Sequence, residues 1–463
     1  MKDKHKLHNI DIDLIEMTLD IMKYAIGRIT DTNPTLGHFQ SEEKLRELVG
    51  ETITEDGIGG EVALDKWKKI LAPACASIDH PRHLAFVSAA PSRAAIMFDL
   101  IVSASSIHGA YWLEGAGAIF AENQAMEWLV SLTGMPKGAF GVFTSGGTSA
   151  NLSAIVTARE NWRKKDPSNI NRKGLILTSA GAHSSVKAMA KVTDAEILII
   201  ESEDRMEKDA LEKAIQNLSK EQKDRLFAVV ATGGTTNAGI IDDLAGIADI
   251  CEKENIWFHV DGAYGGGALA ADSVRHLFNG IERADSFTID PHKWLFSPYD
   301  CGAIIYKNPE LAKEAHSQHG SYLEIFDDPG ARGFNPSDYQ TSLTRRVRGL
   351  PLWFSLAMHG TKVYKKSIER GLELAQIAAK KITDSEHLEL VREPGLSCVL
   401  FRRKGWDPQE YRNWTYENLK KGFAFVTPTK WTQNGNAETV ARFCFINPDT
   451  TEKDIDLILE SMI

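Results

Sequence analysis

Apolar residues along this chain fall into two repeating patterns. Between Gly174 and Lys307, short apolar runs end in glycine or polar residues: LILTSA after Gly174, ILIIES after Glu196, FAVVATGG after Leu226, IWFHVD from Ile256, FTID after Ser286 and GAIIYK after Cys301. The stretches between them return an apolar residue every three to four positions, the helical period. This alternation predicts an α/β fold with a mainly parallel central sheet and helices on both faces. From Ala118 to Lys165 the pattern reads as helix, glycine-rich turn, helix. At the N-terminus Ile15, Leu19, Met22 and Ile26 share one helical face, as in an amphipathic arm that packs on the rest of the fold. After Gly349 the pattern becomes one long helix, Leu352 to Ile382. Strand-like runs follow at Cys398-VLF, Phe423-AFVTPT and Thr439-VARFCFIN, and a last amphipathic helix starts at Thr451. The shifts divide the chain into an N-terminal helical segment (1–85), a large domain (86–348) and a small α+β C-terminal domain (349–463).

Composition narrows the class of partner. With 463 residues, 43% of them hydrophobic and 25% charged, the chain is long enough for one large core and a smaller second one. A formal charge of −10 argues against nucleic acid, because there is no basic excess to release counterions. The five cysteines (Cys75, Cys251, Cys301, Cys398, Cys444) are odd in number and in no metal-ligand spacing, so they read as reduced, mostly buried thiols of a cytoplasmic protein with no metal site. The N-terminus begins basic, but Asp11, Asp13, Glu16 and Asp20 interrupt any apolar run of the kind an export signal needs. No stretch approaches the ~20 apolar residues of a spanning helix, so no membrane partner is expected. The sequons at Asn151, Asn217 and Asn413 are then chance matches.

Candidate chemistry collects at the ends of two of the apolar runs. The Ile256 run ends in Asp261, and the Ser286 run leads into Asp290-Pro291-His292-Lys293-Trp294, with glycines at 262 and 265 to 267 between them. In an α/β sheet that edge is where ligands sit, so Asp261 and Lys293 are placed to face one small molecule. A chemistry that uses both is pyridoxal phosphate catalysis, in which a lysine carries the aldehyde and a carboxylate pairs with the pyridine nitrogen. A third element, Phe143 to Asn151, is a run of small residues opening a helix, whose free N–H groups and dipole suit a phosphate.

Asp261-Gly262-Ala263-Tyr264 and Pro291-His292-Lys293-Trp294, 32 residues apart from Asp261 to Lys293, resemble the active-site segment of the group II pyridoxal-phosphate-dependent decarboxylases, which include the aromatic amino acid and glutamate decarboxylases. The resemblance covers nearly the whole chain. It implies the aspartate aminotransferase-like fold (fold type I), pyridoxal 5'-phosphate as cofactor, an amino acid as substrate and a homodimer with active sites at the interface. Gly147 and Thr148 match the family's phosphate-binding pair, with Asp290 and His292 closing the other side. His183, in Ala182-His183-Ser184-Ser185-Val186, matches the ring that stacks on the cofactor and reaches the substrate carboxylate. Thr236 matches the hydroxyl beside the cofactor's phenolic oxygen, although Thr235 is not excluded. Ala263 is small enough to lie under the opposite face of the ring.

Decarboxylation adds further demands. Asp261 is expected to hold the ring nitrogen protonated by opposite-charge stabilisation, and Lys293 to have its pKa depressed by burial or a cationic neighbour. The resemblance implies a tyrosine on a lid after the lysine strand as proton donor to Cα. Tyr339 is the first candidate and Tyr322 the second, with Phe334 near the expected position. A phenylalanine there implies aldehyde formation instead. By the same resemblance His80 to Phe86 and Trp112 line the substrate pocket. The Ala182 to Val186 and His292 to Cys301 segments lean towards aromatic substrates. Phe86-Val87-Ser88 leans towards a small or acidic amino acid such as glutamate, aspartate or diaminobutyrate. An aldehyde synthase or aminotransferase on the same scaffold is the remaining alternative.

Overall fold

The computed structural model describes residues 6–8, 10, 12–88, 90–202, 204–318, 325, 333–433 and 435–463. Its large sheet is built from β1 (Phe140–Thr144), β2 (Leu175–Ser179), β3 (Glu196–Ile200), β4 (Leu226–Thr232), β5 (Trp257–Asp261), β6 (Ser286–Ile289) and β7 (Gly302–Tyr306), in the order β1-β7-β6-β5-β4-β2-β3. All six apolar runs become strands. The block from β3 through β2, β4 and β5 to β6 is parallel, and β7 runs antiparallel to both β6 and β1. Every residue of β4 and β5 is buried, which is why those runs are continuously apolar instead of alternating. Successive residues serve opposite faces: Val229 and Ala231 join one core with Phe258 and Val260, while Ala228 and Val230 join the other with Ile176 and Ile304.

The sequence pattern did not predict β1. Its FGVFT segment lies between a 22-residue helix (Trp112–Thr133) and the glycine turn, and was absorbed into that turn. Pairing with β7 puts Thr144 opposite Gly302, so the turn crosses close over β7. A Cβ on Gly302 would lie 2.5 Å from Gly146 Cα, so this approach needs glycine.

The second sheet, β8 (Leu388–Leu390), β9 (Cys398–Arg403), β10 (Thr427–Gln433) and β11 (Asn436–Cys444), is antiparallel in the order β10-β11-β9-β8. Helices 361–383, 408–420 and 452–460 contribute to its core. This is the expected α/β architecture with a smaller α+β unit. Two expectations are corrected here. The long helix is two, Leu350–His359 and Thr361–Thr383, because Gly360 between them takes φ +74°. The Phe423 run enters strand only at Thr427, since Phe425 bridges His83 outside the sheet. The N-terminal helix forms over Ile12–Thr30, but none of its residues is buried, and Ile15, Leu19 and Ile26 are each about half exposed. Among the described residues, nothing buries that apolar face.

Candidate active site

The C-terminal ends of the parallel strands and the turn after β1 enclose a cavity of about 320 Å³. Of the residues singled out in the sequence, Gly147, Thr148, His183, Asp261, Ala263, Asp290, His292 and Lys293 all line it. Lys293 follows β6 and is anchored by its neighbour. The Trp294 indole is fully buried and stacks on Tyr264 at 5.5 Å, and the Tyr264 hydroxyl bonds Ser397 Oγ of the small unit at 2.6 Å.

Lys293 Nζ lies 3.0 Å from Asp290 Oδ2. Burial alone pushes its pKa down, but the Asp290 carboxylate, helped by Asp261, outweighs it and the net shift is upward. The expectation of a depressed lysine is therefore corrected: its nearest charged partner is an anion. His292 accepts the Cys301 N–H on Nδ1 (3.1 Å) and holds Nε2 3.7 Å from Asp290; burial lowers its pKa, and Asp290 offsets part of that.

Asp261 ends β5 with its carboxylate oriented at both oxygens. Oδ1 accepts the Ala263 N–H at 3.1 Å and Oδ2 accepts Asn151 Nδ2 at 2.9 Å. His183 caps helix 184–192, its Nδ1 accepting the Ser185 N–H at 3.2 Å. That bond leaves the other ring nitrogen free for a ligand.

The cavity suits pyridoxal phosphate. Helix 147–165 opens into it from Gly146 with no side chain capping its first turn, so backbone N–H groups remain for a phosphate. A Cβ on Gly147 would sit 2.9 Å from Asp290 Oδ2 and 3.0 Å from the Ala263 methyl, filling the cradle. A lysine, a fixed carboxylate and an anion-binding helix end are the donor set the cofactor requires.

Two predicted residues lie away from these. Thr236 is exposed and outside the cavity lining, and its carbonyl accepts Arg442 Nε at 3.1 Å. Thr235 is buried, with its hydroxyl accepting the Ile240 N–H at 3.1 Å. Tyr339 is buried, stacked on Phe334 at 4.6 Å, and does not line the cavity; burial pushes its phenol up to about 12. Tyr322 lies outside the described residues. Trp112 is half-buried and donates its N–H to Asn335 Oδ1 (2.9 Å). Phe86 is exposed, edge-on to Phe425 at 5.5 Å, and its carbonyl accepts Arg442 Nη1 at 2.7 Å.

Sequence reasoning missed Asn151, Ser185 and His259. Their signals were present. Asn151 stands one helical turn after Gly147, and His259 stands two residues before Asp261 on the same face of β5.

Residues 43–404 match the pyridoxal-dependent decarboxylase conserved domain. The chain is 31% identical over 426 residues to the aromatic-L-amino-acid decarboxylase of Bacillus atrophaeus, covering 89% of this chain and 86% of that one. It is 30% identical over 384 residues to the L-2,4-diaminobutyrate decarboxylase of Acinetobacter baumannii, covering 78% and 75%. Its fold superposes on the crystal structure of Catharanthus roseus tryptophan decarboxylase in complex with L-tryptophan with a TM-score of 0.86 at 22% identity, over 98% of each chain. The chain is therefore a member of the pyridoxal-dependent decarboxylase family, an enzyme that uses pyridoxal phosphate to decarboxylate an amino acid.

Proposed function

We propose that the substrate is an aromatic L-amino acid, released as the amine and CO2. The observation that carries this reading is an exposed ring beside the lysine segment, with a second exposed ring on the His80 to Phe86 segment. Tyr299 is half exposed, its ring 4.8 Å from that of His292 and its hydroxyl reaching towards Ser88 at 3.5 Å, and Phe86 stands exposed against Phe425. Exposed aromatic faces favour another ring. The similarity to the Bacillus atrophaeus enzyme supports the same choice.

Bound through Lys293, pyridoxal phosphate supplies a conjugated sink for the electron pair left on Cα when CO2 departs. The chain's residues set the conditions for that step. Asp261, held at both oxygens, would keep a proton on the pyridine nitrogen. The helix N-terminus at Gly147 and Thr148, with His292, would hold the phosphate, and the small Ala263 side chain would leave room for the cofactor. His183 would offer its free nitrogen to the substrate carboxylate, and an oriented carboxylate favours decarboxylation over transamination. By the family resemblance alone, Thr236, which lies outside the cavity lining, is assigned to the cofactor's edge and Tyr339 to Cα reprotonation. As Tyr339 is buried against Phe334, that assignment requires the lid to turn its hydroxyl inward.

A homodimer completes this reading. The half-exposed Ile15, Leu19 and Ile26 line a helix face that a second copy would cover. Leu19→Asp should then shift the chain from dimer to monomer in light scattering, and an unchanged mass would remove this helix from the interface.

A second reading, diaminobutyrate as substrate, draws on the Acinetobacter baumannii relative. Mass-spectrometric product analysis with each common amino acid, dihydroxyphenylalanine and diaminobutyrate separates the two. An aromatic amine is the expected product. Diaminopropane would establish the second reading, and an aldehyde with ammonia would point to Phe334 at the donor position.

A further inference from the structure

Behind Asp261 and His183 lies a buried polar chain that none of the assigned roles uses. Its first member is the Trp257 indole, which can only donate, and its Nε1 lies 2.8 Å from Ser286 Oγ. Ser286 then has its own proton to give to His259 Nδ1, 2.9 Å away. That nitrogen is then unprotonated, and the ring's proton sits on Nε2, 3.0 Å from Asn151 Oδ1. The Asn151 amide is thereby turned so that Nδ2 donates both to Asp261 Oδ2 (2.9 Å) and to Ser185 Oγ (3.1 Å). Ser185 in turn has its hydroxyl proton for His183 Nδ1 at 2.9 Å, beside its own N–H.

The direction can also be read from the other end. Reversing the Asn151 amide would place its oxygen 2.9 Å from a carboxylate oxygen with no proton between them. The acceptor-only carboxylate enforces this order, and the donor-only indole at the other end fits it. The members are shut away from water: Ser286 and His259 are fully buried, Asn151 is 1% exposed and Ser185 4%. Burial lowers the His259 pKa, although Asp261 pulls it upward, so the ring stays neutral and cannot donate from both nitrogens.

We infer that Asn151 and His259 are positioning residues of the active site: a one-way hydrogen-bond chain from Trp257 through Ser286, His259 and Asn151 sets the carboxylate plane of Asp261 and, through Ser185, the tautomer of His183. This rests on the reading that Asp261 and His183 flank the cofactor ring. It goes further in stating why they act together, since both depend on the two protons of one amide. His183 is left with a protonated Nε2, the donor that a substrate carboxylate needs. Fully satisfied buried networks of this kind hold their members in one arrangement.

The first test is ¹⁵N-histidine NMR of the full chain at pH 7, with and without pyridoxal phosphate, the His259 signals being identified by their loss in His259→Gln. Protonated Nε2 and bare Nδ1 at His259 are expected; an Nδ1-protonated ring or an imidazolium would overturn the chain's direction. The second test compares His259→Gln, which keeps a donor where Nε2 stands, with His259→Leu, which does not. Loss of one hydrogen bond passed on to a charged group should weaken pyridoxal phosphate binding and lower kcat by about tenfold in the leucine variant, with substrate KM within about twofold. The glutamine variant should recover most of both. Equal losses in the two variants, or unaltered binding in the leucine variant, would reduce His259 to packing. If the wild-type chain took up no pyridoxal phosphate, the functional reading would fail, while the tautomer measurement would still decide the chain's direction.

Discussion

Two acidic side chains in one cavity do different work because their surroundings differ. Asp261 accepts an amide and a backbone N–H and is locked in orientation, whereas Asp290 pairs with Lys293 and leaves Oδ1 buried without a partner among the described residues. Its charge raises the lysine's pKa and so opposes cofactor capture. Capture needs the neutral amine, whose fraction grows as pH rises through the lysine pKa. Removing the Asp290 charge lowers that pKa and moves the transition to lower pH. Asp290→Asn should therefore take up pyridoxal phosphate faster at pH 7, with its uptake midpoint displaced in the acid direction by about one unit or more. Stopped-flow absorbance across about pH 7 to 12 measures it, and an unmoved midpoint would show that Asp290 does not set the lysine's protonation.

At the level of elements, the site depends on one strand that the hydrophobic pattern concealed. Because β1 pairs with β7, the glycine turn reaches Asp290 and His292, and Gly302 is what lets the two segments meet. Gly302→Ala should force them apart, costing roughly 1–3 kcal/mol of stability and weakening cofactor binding, as read by urea denaturation and by absorbance titration. Retention of both would mean that the contact relaxes freely. The runs of β2, β4, β5, β6 and β7 were legible because strands buried on both faces need mainly apolar residues, and Asp261 and Lys293 were legible because such strands present their ends to ligands. Strand β1 was not legible, since five residues between a helix and a turn carry no period of their own. Asn151 and His259 were passed over for a different reason. Each looks like an ordinary polar residue until the fold brings β5 against helix 147–165, and only the three-dimensional pairing gives them partners. The break at Gly360 was hidden by helical patterns that continue on both sides of it.

Taken whole, the molecule joins a seven-stranded sheet and a four-stranded one, and the N-terminal His80 to Phe86 segment packs along the smaller unit, with Leu84 bonded to Phe425 and Cys444. His83 is buried there against Phe425, with Nδ1 unpartnered among the described residues, and burial lowers its pKa to about 4. An unfolded histidine takes its proton near pH 6.5. Between that pH and about 4 the unfolded chain therefore binds more protons than the folded one, so stability is full above the window and is lost as pH falls through it. His83→Gln should flatten the dependence of the urea midpoint on pH in this range, and an unchanged slope would place the acid sensitivity elsewhere. The central claim concerns Lys293 and can be tested without knowing the substrate. Borohydride reduction of the chain loaded with pyridoxal phosphate, followed by peptide mass mapping, should place the reduced cofactor on Lys293. A label on any other lysine, or no label at all, would contradict the account.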